Sequence, residues 1–538
     1  MKHKHADAIV VGAGAGGGVV AKELAVNGLQ TVLFERGGWV KYDGKIHDEL
    51  LKSRGVLPID RKKNPRVLIK ETEDGEVEVP TGIGHTGYNV GSGTVNYGAM
   101  AWRFMREDFK MKSTYGEVKT TTLADWPISY DDLEPYYEKA EWEIGVAGDA
   151  SNNPFAAPRK KEYPMPAFKT SELGELFSDA CKRLGLHPFP VPMARNSVPY
   201  NNRSSCIQNR ICLTSVCPVD AKNGTHNTVI PVGIESGNLD LRIHTQVTKV
   251  VMGDNGKAIG IKYYDKNDLE HFQSADIVVI AASATETPRL LLTTTTAKFP
   301  NGLGNNYGWV GRNLQSHAYC GAAGTFPKDI HSWNGPGATM AIADYNHHNE
   351  GIVGGASIHY DFHFGPLRFA KRRPPWEPTW GLTHKEFQRE NFYRYTNLRC
   401  CVQEMPNFNS RVFIHKTKKD YWGMPIVGLA GERHPLDFKH CDFMSDRSEE
   451  ILKEAGANRI WRVPGKKGNP AMVHQAGTCR MGDDPTTSVT NRYGQVHGID
   501  NLYVGDASTH VTNSGFNPSL TIMALGFRMA EHIVEKFK

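Results

Sequence analysis

Residues 8–35 read AIVVGAGAGGGVVAKELAVNGLQTVLFE. The apolar run Ala8–Val11 predicts a strand, VVAKELAVNG predicts a helix ending near Gly28, and TVLFE predicts a second strand closing on Glu35. Between the first strand and the helix, Gly12, Gly14 and Gly17 fit the G-x-G-x-x-G spacing. In that pattern Gly12 permits the tight turn, Gly14 lets the backbone approach a pyrophosphate, and Gly17 lets the helix pack close to the strand. The helix N-terminus then offers unpaired N–H groups to phosphate. Glu35 accepts ribose hydroxyls and argues against a 2′-phosphate at that place. The reading is a dinucleotide-binding fold, and the motif alone does not choose between FAD and NAD.

The end of the chain points to the same cofactor. Ile499–Val504 (IDNLYV) predicts a strand that runs into Gly505 and Asp506, and Pro518 opens a helical pattern that continues to the C-terminus. Asp506, beside a glycine at a strand end, reads as a hydrogen-bond partner of the cofactor or as a plain turn residue. In the middle of the chain, residues 275–281 predict a strand followed by a helix from SATETPRLLL. Residues 239–251 predict short strands, with Val247 placed by the adenine, and 252–264 a hairpin turning at Asp254-Asn255-Gly256. One nucleotide domain is therefore assembled from distant segments, and the chain between them is inserted.

Composition narrows the function. With 538 residues and 39% hydrophobic content, the chain can build two or more domains. A formal charge of +5 from 63 basic and 58 acidic residues is too balanced for a nucleic-acid partner. No apolar run approaches the roughly 18 residues of a membrane span, and the N-terminus lacks a signal-peptide pattern. The expected location is cytoplasmic, with the periplasm accessible through a signal-bearing partner.

The stretch 205–218, SCIQNRICLTSVCP, places Cys206, Cys212 and Cys217 in a C-x5-C-x4-C-P pattern. The spacing is not the C-x2-C of common zinc sites. Without a secretion signal, disulfides are a poor default. The residues alone leave a disulfide site, a metal site and an inert buried loop open.

The chain resembles the glucose–methanol–choline (GMC) oxidoreductases, and within them the bacterial FAD-dependent sugar and gluconate dehydrogenase catalytic subunits. The likeness rests on the glycine turn with Glu35, on GHTGYNVGSGTVNYGAMAWRF from Gly84 and on ATETPRLLL from Ala284. It continues in GRNLQSH from Gly311, HQAGTCRMG from His474 and GDASTHVTNSGFNPSLTIMALG from Gly505. The resemblance implies an α/β fold with a Rossmann-like FAD-binding domain and a β-sheet substrate-binding domain with helices. It divides the chain into FAD-binding segments 1–110, 231–316 and 466–538, an interdomain or cap region 111–230 carrying the cysteines, and a substrate domain 317–465.

The resemblance also implies site roles. His474 matches the catalytic histidine, and histidine is the natural base for a hydroxyl proton near neutral pH. Asn517 matches the second catalytic position, where an amide orients the alcohol; before Pro518 it also reads as a helix cap. His317 and His85 are weaker pocket candidates, and His510 matches neither position. Some relatives carry a histidine that binds FAD covalently where this chain has Asn96-Tyr97. FAD is therefore expected to be noncovalent, with Asn96 either placing its amide near the flavin or satisfying its own loop. Cys206, Cys212 and Cys217 match the ligands of a [3Fe-4S] cluster, although relatives usually have a gap one residue shorter before the last cysteine.

The expected activity is oxidation of a hydroxyl of a sugar, sugar acid or polyol, with electrons leaving to a non-NAD acceptor. A small helper subunit and a heme or other carrier are the implied partners. The alternative is a glucoside 3-dehydrogenase or oxidase using oxygen or a diffusible acceptor. A non-catalytic flavoprotein leaves the His474–Asn517 pair unused, and an NAD-dependent dehydrogenase leaves the C-terminal motif unexplained. A hydroxynitrile lyase of the family keeps FAD without net redox.

Overall fold

The computed structural model describes residues 4–42, 49, 60–73, 75–84, 86–208, 212–213, 215–332, 335–361, 365–465, 468 and 473–538. His85 lies outside them.

The opening stretch forms strand Ala6–Val11, helix Ala15–Val26 and strand Thr31–Phe34. The two strands pair in parallel, Val10 opposite Leu33, as a right-handed crossover through one helix requires. Strand Leu239–Arg242 adds beside Thr31–Phe34, and Glu270–Ile280 adds on the other side of Ala6–Val11, both parallel. Leu502–Val504 joins the end of Glu270–Ile280, so the sheet draws on chain segments more than 490 residues apart, residues 6 and 504. The strand predicted over 499–504 begins only at Leu502. The Asn501 side chain instead donates to the carbonyls of Ala258 (2.7 Å) and Asp276 (2.6 Å), holding the approach as a turn. Strands Gln246–Met252 and Ala258–Tyr264 form the expected hairpin, turning at Gly256 with φ +76°.

A second, fully antiparallel sheet runs in the order Arg459–Val463, His317–Thr325, Tyr395–Gln403, Ala356–Tyr360, Met340–Ile342, Phe189–Pro190. Helix Pro435–Glu454 covers it, with Met444, Ile451 and Leu452 buried among Cys320, Cys400 and Leu398. Strands Arg411–Lys419 and Pro425–Ala430 lie in the stretch expected to build this sheet, yet they pair with the hairpin Arg66–Thr72/Gly75–Pro80. Alternation identifies a strand but not its partner.

The last helix, Ser519–Phe537, packs on both Ala15–Val26 and Tyr130–Ile144. The latter opens on a reciprocal cap, Ser129 with Asp132. The largest core fills the space between the antiparallel sheet and these helices. Two further cores cover the faces of the parallel sheet.

Candidate active site

A cleft of about 250 Å³ lies over the ends of the parallel strands. Its walls include Gly12, Gly14, Glu35, Arg36, Val247, Asp506 and His474. Gly12 has φ +104°, and a Cβ there would meet the Ala281 carbonyl oxygen at 2.3 Å, so only glycine makes this turn. A Cβ on Gly17 would meet the Gly12 oxygen at 2.0 Å, which is the close helix–strand approach expected of it. At Gly14 the nearest atom to an added Cβ is Ser92 Cβ at 3.5 Å, leaving the turn's backbone open to the cleft. The helix that follows has no acidic residue in its first turn and no side-chain cap, so its N-terminus is chemically suited to phosphate.

Glu35 is buried, and its two oxygens accept from Ala13 N (3.1 Å) and Gly37 N (2.9 Å). Burial raises its pKa, against the lowering effect of those bonds and of Arg36. The carboxylate is thus rigidly held at the wall with lone pairs remaining for hydroxyl donors. Asp506 also lines the cleft. It accepts from Ser283 N (3.0 Å), Thr287 Oγ1 (2.5 Å) and Ser508 N (2.8 Å), tying the crossover after Ile280 to the final strand. Gly505 sits under the glycine turn, its carbonyl oxygen 1.9 Å from where a Cβ on Gly16 would lie. The Asn96 amide reaches back to the Ser92 carbonyl at 3.5 Å, and Ser92, Gly93 and Thr94 form the wall at that point. Arg36, stacked 3.3 Å above the Tyr88 ring, is a cleft residue that the sequence reading passed over.

His474 lines the cleft, and Asn517 lies beside it, next to the lining residue Pro518. The Asn517 amide nitrogen is 3.4 Å from His474 Nε2. Its oxygen accepts from the Trp102 indole N–H at 3.0 Å. An indole nitrogen only donates, so this bond fixes which end of the amide faces the histidine. His474 has φ +61°, a left-handed conformation uncommon away from glycine, and Asn513 Nδ2 donates to its carbonyl at 2.8 Å. Its other ring nitrogen, Nδ1, lies 3.0 Å from His317 Nδ1 and 3.5 Å from the Tyr319 hydroxyl. Burial first, then His317 and Arg399, hold His474 well below the ordinary histidine pKa, which keeps it unprotonated. His317, Cys401 and His474 each bring one donor atom within 4.8 Å of the others. His510 is buried away from this pair, bonded to Asn513 at 3.2 Å. Trp102, Tyr319 and Cys401 are site residues without a local signal, although Trp102 lies within the AWRF segment already singled out.

Two family models match this arrangement of segments, both described as GMC oxidoreductase, over residues 86–319 and 408–526. The chain belongs to the GMC oxidoreductase family. It is 30% identical to 2-methyl-1,2-propanediol dehydrogenase of Mycolicibacterium austroafricanum, over 99% of this chain and 95% of that one. It is 28% identical to the fructose dehydrogenase large subunit of Gluconobacter japonicus, over 99% and 98%. Among solved structures, pyridoxine 4-oxidase from Mesorbium loti superposes with a TM-score of 0.64 at 16% identity, covering 98% of each chain, and so shares the fold. GMC oxidoreductases bind FAD and act on CH–OH groups, and the cleft described above meets the chemical needs of that dinucleotide. Among the described residues, no helix of this GMC protein is long and apolar enough to cross a membrane.

The cysteine loop abuts the same cleft. Lys222 Nζ donates to the carbonyls of Cys212 (2.8 Å), Ser215 (2.6 Å) and Tyr97 (3.4 Å). Thr225 joins Thr94 at 3.2 Å and Ala13 at 3.4 Å. Cys206 Sγ accepts from Gln208 N and Cys217 Sγ from Ala221 N, both at 3.3 Å. Burial raises the Cys206 thiol pKa, with Arg195 opposing. None of the described cysteines forms a disulfide.

Proposed function

We propose that this protein is an FAD-dependent dehydrogenase that oxidises a hydroxyl of a sugar, sugar acid or polyol to a carbonyl. The observation that carries the reading is the His474 Nε2–Asn517 amide pair, 3.4 Å apart at the dinucleotide cleft. FAD, held noncovalently along the glycine turn and Glu35, would supply the two-electron hydride acceptor. The Asn517 N–H donates to the substrate oxygen and turns its hydroxyl toward His474. His474, kept neutral, takes the hydroxyl proton on Nε2 as the carbon-bound hydrogen leaves with its electron pair. Asn517 cannot serve as the base, since an amide has no proton affinity near neutral pH.

For electron exit the reading assigns Cys206, Cys212 and Cys217 to a [3Fe-4S] cluster. Three thiols, of which Cys206 and Cys217 accept N–H···S bonds, suit iron–sulfur ligation. Among the described residues these sulfurs do not gather as closely as one ion requires, but a cluster spreads its ligands over separate irons. The cluster would supply one-electron transfer, and the Lys222 and Thr225 contacts hold its loop against the cleft wall. The similarity to a protein named a large subunit supports a helper subunit and an external heme or other carrier as partners.

The test is anaerobic addition of D-fructose and of 2-methyl-1,2-propanediol to the holoprotein. Bleaching of the flavin absorbance by one of them is expected, with flavin released from the chain on acid denaturation. His474→Ala should keep FAD and slow bleaching by about 10²–10⁴-fold. Unchanged bleaching in that variant refutes the base assignment. A preparation without iron and acid-labile sulfide moves the reading to an oxidase or a dehydrogenase with a diffusible acceptor.

A further inference from the structure

His317 is fully enclosed at the start of the strand His317–Thr325, and the reaction as described gives it no part. Its Nε2 lies 2.9 Å from the Ser514 carbonyl oxygen. A carbonyl oxygen only accepts, so Nε2 carries the hydrogen. Burial pulls the His317 pKa down to about 4, so its ring is neutral at ordinary pH and its Nδ1 is a bare acceptor. That acceptor faces His474 Nδ1 at 3.0 Å. Two bare nitrogens do not approach so closely; a hydrogen lies between them and belongs to His474. A neutral His474 protonated on Nδ1 has its lone pair on Nε2.

The opposite side of the ring requires the same state. The Trp102 indole holds the Asn517 oxygen, so the Asn517 N–H faces His474 Nε2. A donor there needs an unprotonated acceptor. Two chains of hydrogen bonds, one from Ser514 through His317 and one from Trp102 through Asn517, therefore specify one tautomer. The remaining groups around the pair are consistent with it: Tyr319, with Cys401 behind it at 3.7 Å, and Arg399 over the Tyr319 ring at 4.1 Å. The Asn513 backbone carbonyl joins that of Ser514 as an acceptor for the His317 ring, and Asp108 and Arg433 act on His317 with opposite signs.

Resting on the reading of His474 as the base, we infer that His317 is a positioning residue that locks His474 in the Nδ1–H tautomer. It also accepts the hydrogen bond of the imidazolium once the hydroxyl proton reaches Nε2. Such a bond is stronger in the charged state, so His317 favours the proton-transfer step over substrate binding. A neutral acceptor does this without placing a negative charge beside the departing hydride.

Two measurements test this. The first needs no turnover: ring-¹⁵N-histidine NMR of the holoprotein, with His474→Gln identifying the His474 signals. The expected spectrum has a bare Nε2 and a protonated Nδ1; a protonated Nε2 in the neutral ring overturns the inference. The second compares His317→Asn, whose side-chain oxygen can replace Nδ1 as acceptor, with His317→Leu, which offers none. With D-fructose or 2-methyl-1,2-propanediol, whichever bleaches the wild type, His317→Leu should lower the limiting rate of flavin reduction by about 10–100-fold, the scale of one hydrogen bond to a charged group. The apparent substrate Kd should move by less than about threefold, and His317→Asn should recover most of the rate. Equal losses in the two variants, or a loss carried by Kd, overturn it. If neither compound bleaches the wild type, the proposed activity fails while the NMR measurement still decides the tautomer.

Discussion

Replacing Trp102 with phenylalanine removes one donor and little else. Trp102 is 3% exposed, edge-on to Phe189 at 5.9 Å between ring centres and tilted over Phe516 at 5.0 Å. A phenyl ring keeps much of that packing. What disappears is the 3.0 Å N–H bond to the Asn517 oxygen. A buried acceptor left unsatisfied costs about 1–3 kcal/mol. Asn517 can recover part of this by rotating, but it then turns its oxygen toward the bare Nε2 of His474, and two acceptors repel. The expected effect sits near the lower bound, about 1–1.4 kcal/mol, or roughly 5- to 10-fold slower flavin reduction. The assay is anaerobic stopped-flow reduction in a double-mutant cycle with Asn517→Ala. If Trp102 acts only through Asn517, Trp102→Phe should add almost nothing in the Asn517→Ala background. An equal penalty with and without Asn517 refutes the reasoning.

Other outcomes follow from buried charge and from the cysteine loop. Glu286 bridges Arg66 (2.5 Å), Arg289 (3.1 Å) and Arg36 (3.7 Å); burial alone would raise its pKa, but these arginines hold it well below the usual range. Glu286→Gln should lower unfolding free energy by about 3–5 kcal/mol, read as a fall in denaturant midpoint at unchanged m-value, because the buried Arg66 guanidinium loses its anion and Arg289 is left with Asp420 alone. Burial depresses His317, His359 and His510 to about 4, and His226 and His440 to about 3. A folded pKa below the unfolded value near 6.5 stabilises fully above 6.5 and is lost as pH falls toward 4. Tm should therefore drop between pH 7 and pH 5, each histidine contributing about 2 kcal/mol at pH 5; a flat Tm contradicts the buried neutral assignments. If the proposed [3Fe-4S] cluster is present, the aerobic protein should show a low-temperature three-iron EPR signal, and Cys212→Ser should abolish it and block reduction of a heme acceptor while flavin bleaching by substrate persists. An undiminished signal removes Cys212 from the cluster.

The glycine turn, its flanking strands and the terminal helix are legible in the sequence because each is a local pattern. The spacing of Gly12, Gly14 and Gly17 is contained within a dozen residues, although the Ala281 carbonyl that excludes a side chain at Gly12 comes from a distant segment. The hairpin at Gly256 is legible for the same reason. The His474–Asn517 pair came from motif resemblance, since nothing local distinguishes His474 from 21 other histidines. Trp102 bonds a residue 415 positions away, and His317 one 157 positions away. No periodicity marks such pairs; they exist only once the two sheets have met. The partner of strands Arg411–Lys419 and Pro425–Ala430 was hidden for a related reason, since an alternating strand specifies which face is buried but not which edge it joins.

The placement of Leu502–Val504 in the parallel sheet has a consequence for how the protein is made. A ribosome delivers the glycine turn long before this strand, so the parallel sheet stays incomplete until Leu502–Val504 has emerged. Asp506, Asn517 and the helix that braces Ala15–Val26 arrive in the same final stretch. A nascent chain that has not reached Leu502 has the glycine turn but lacks Asp506 and also Asn517, to which the proposed reaction assigns the alcohol.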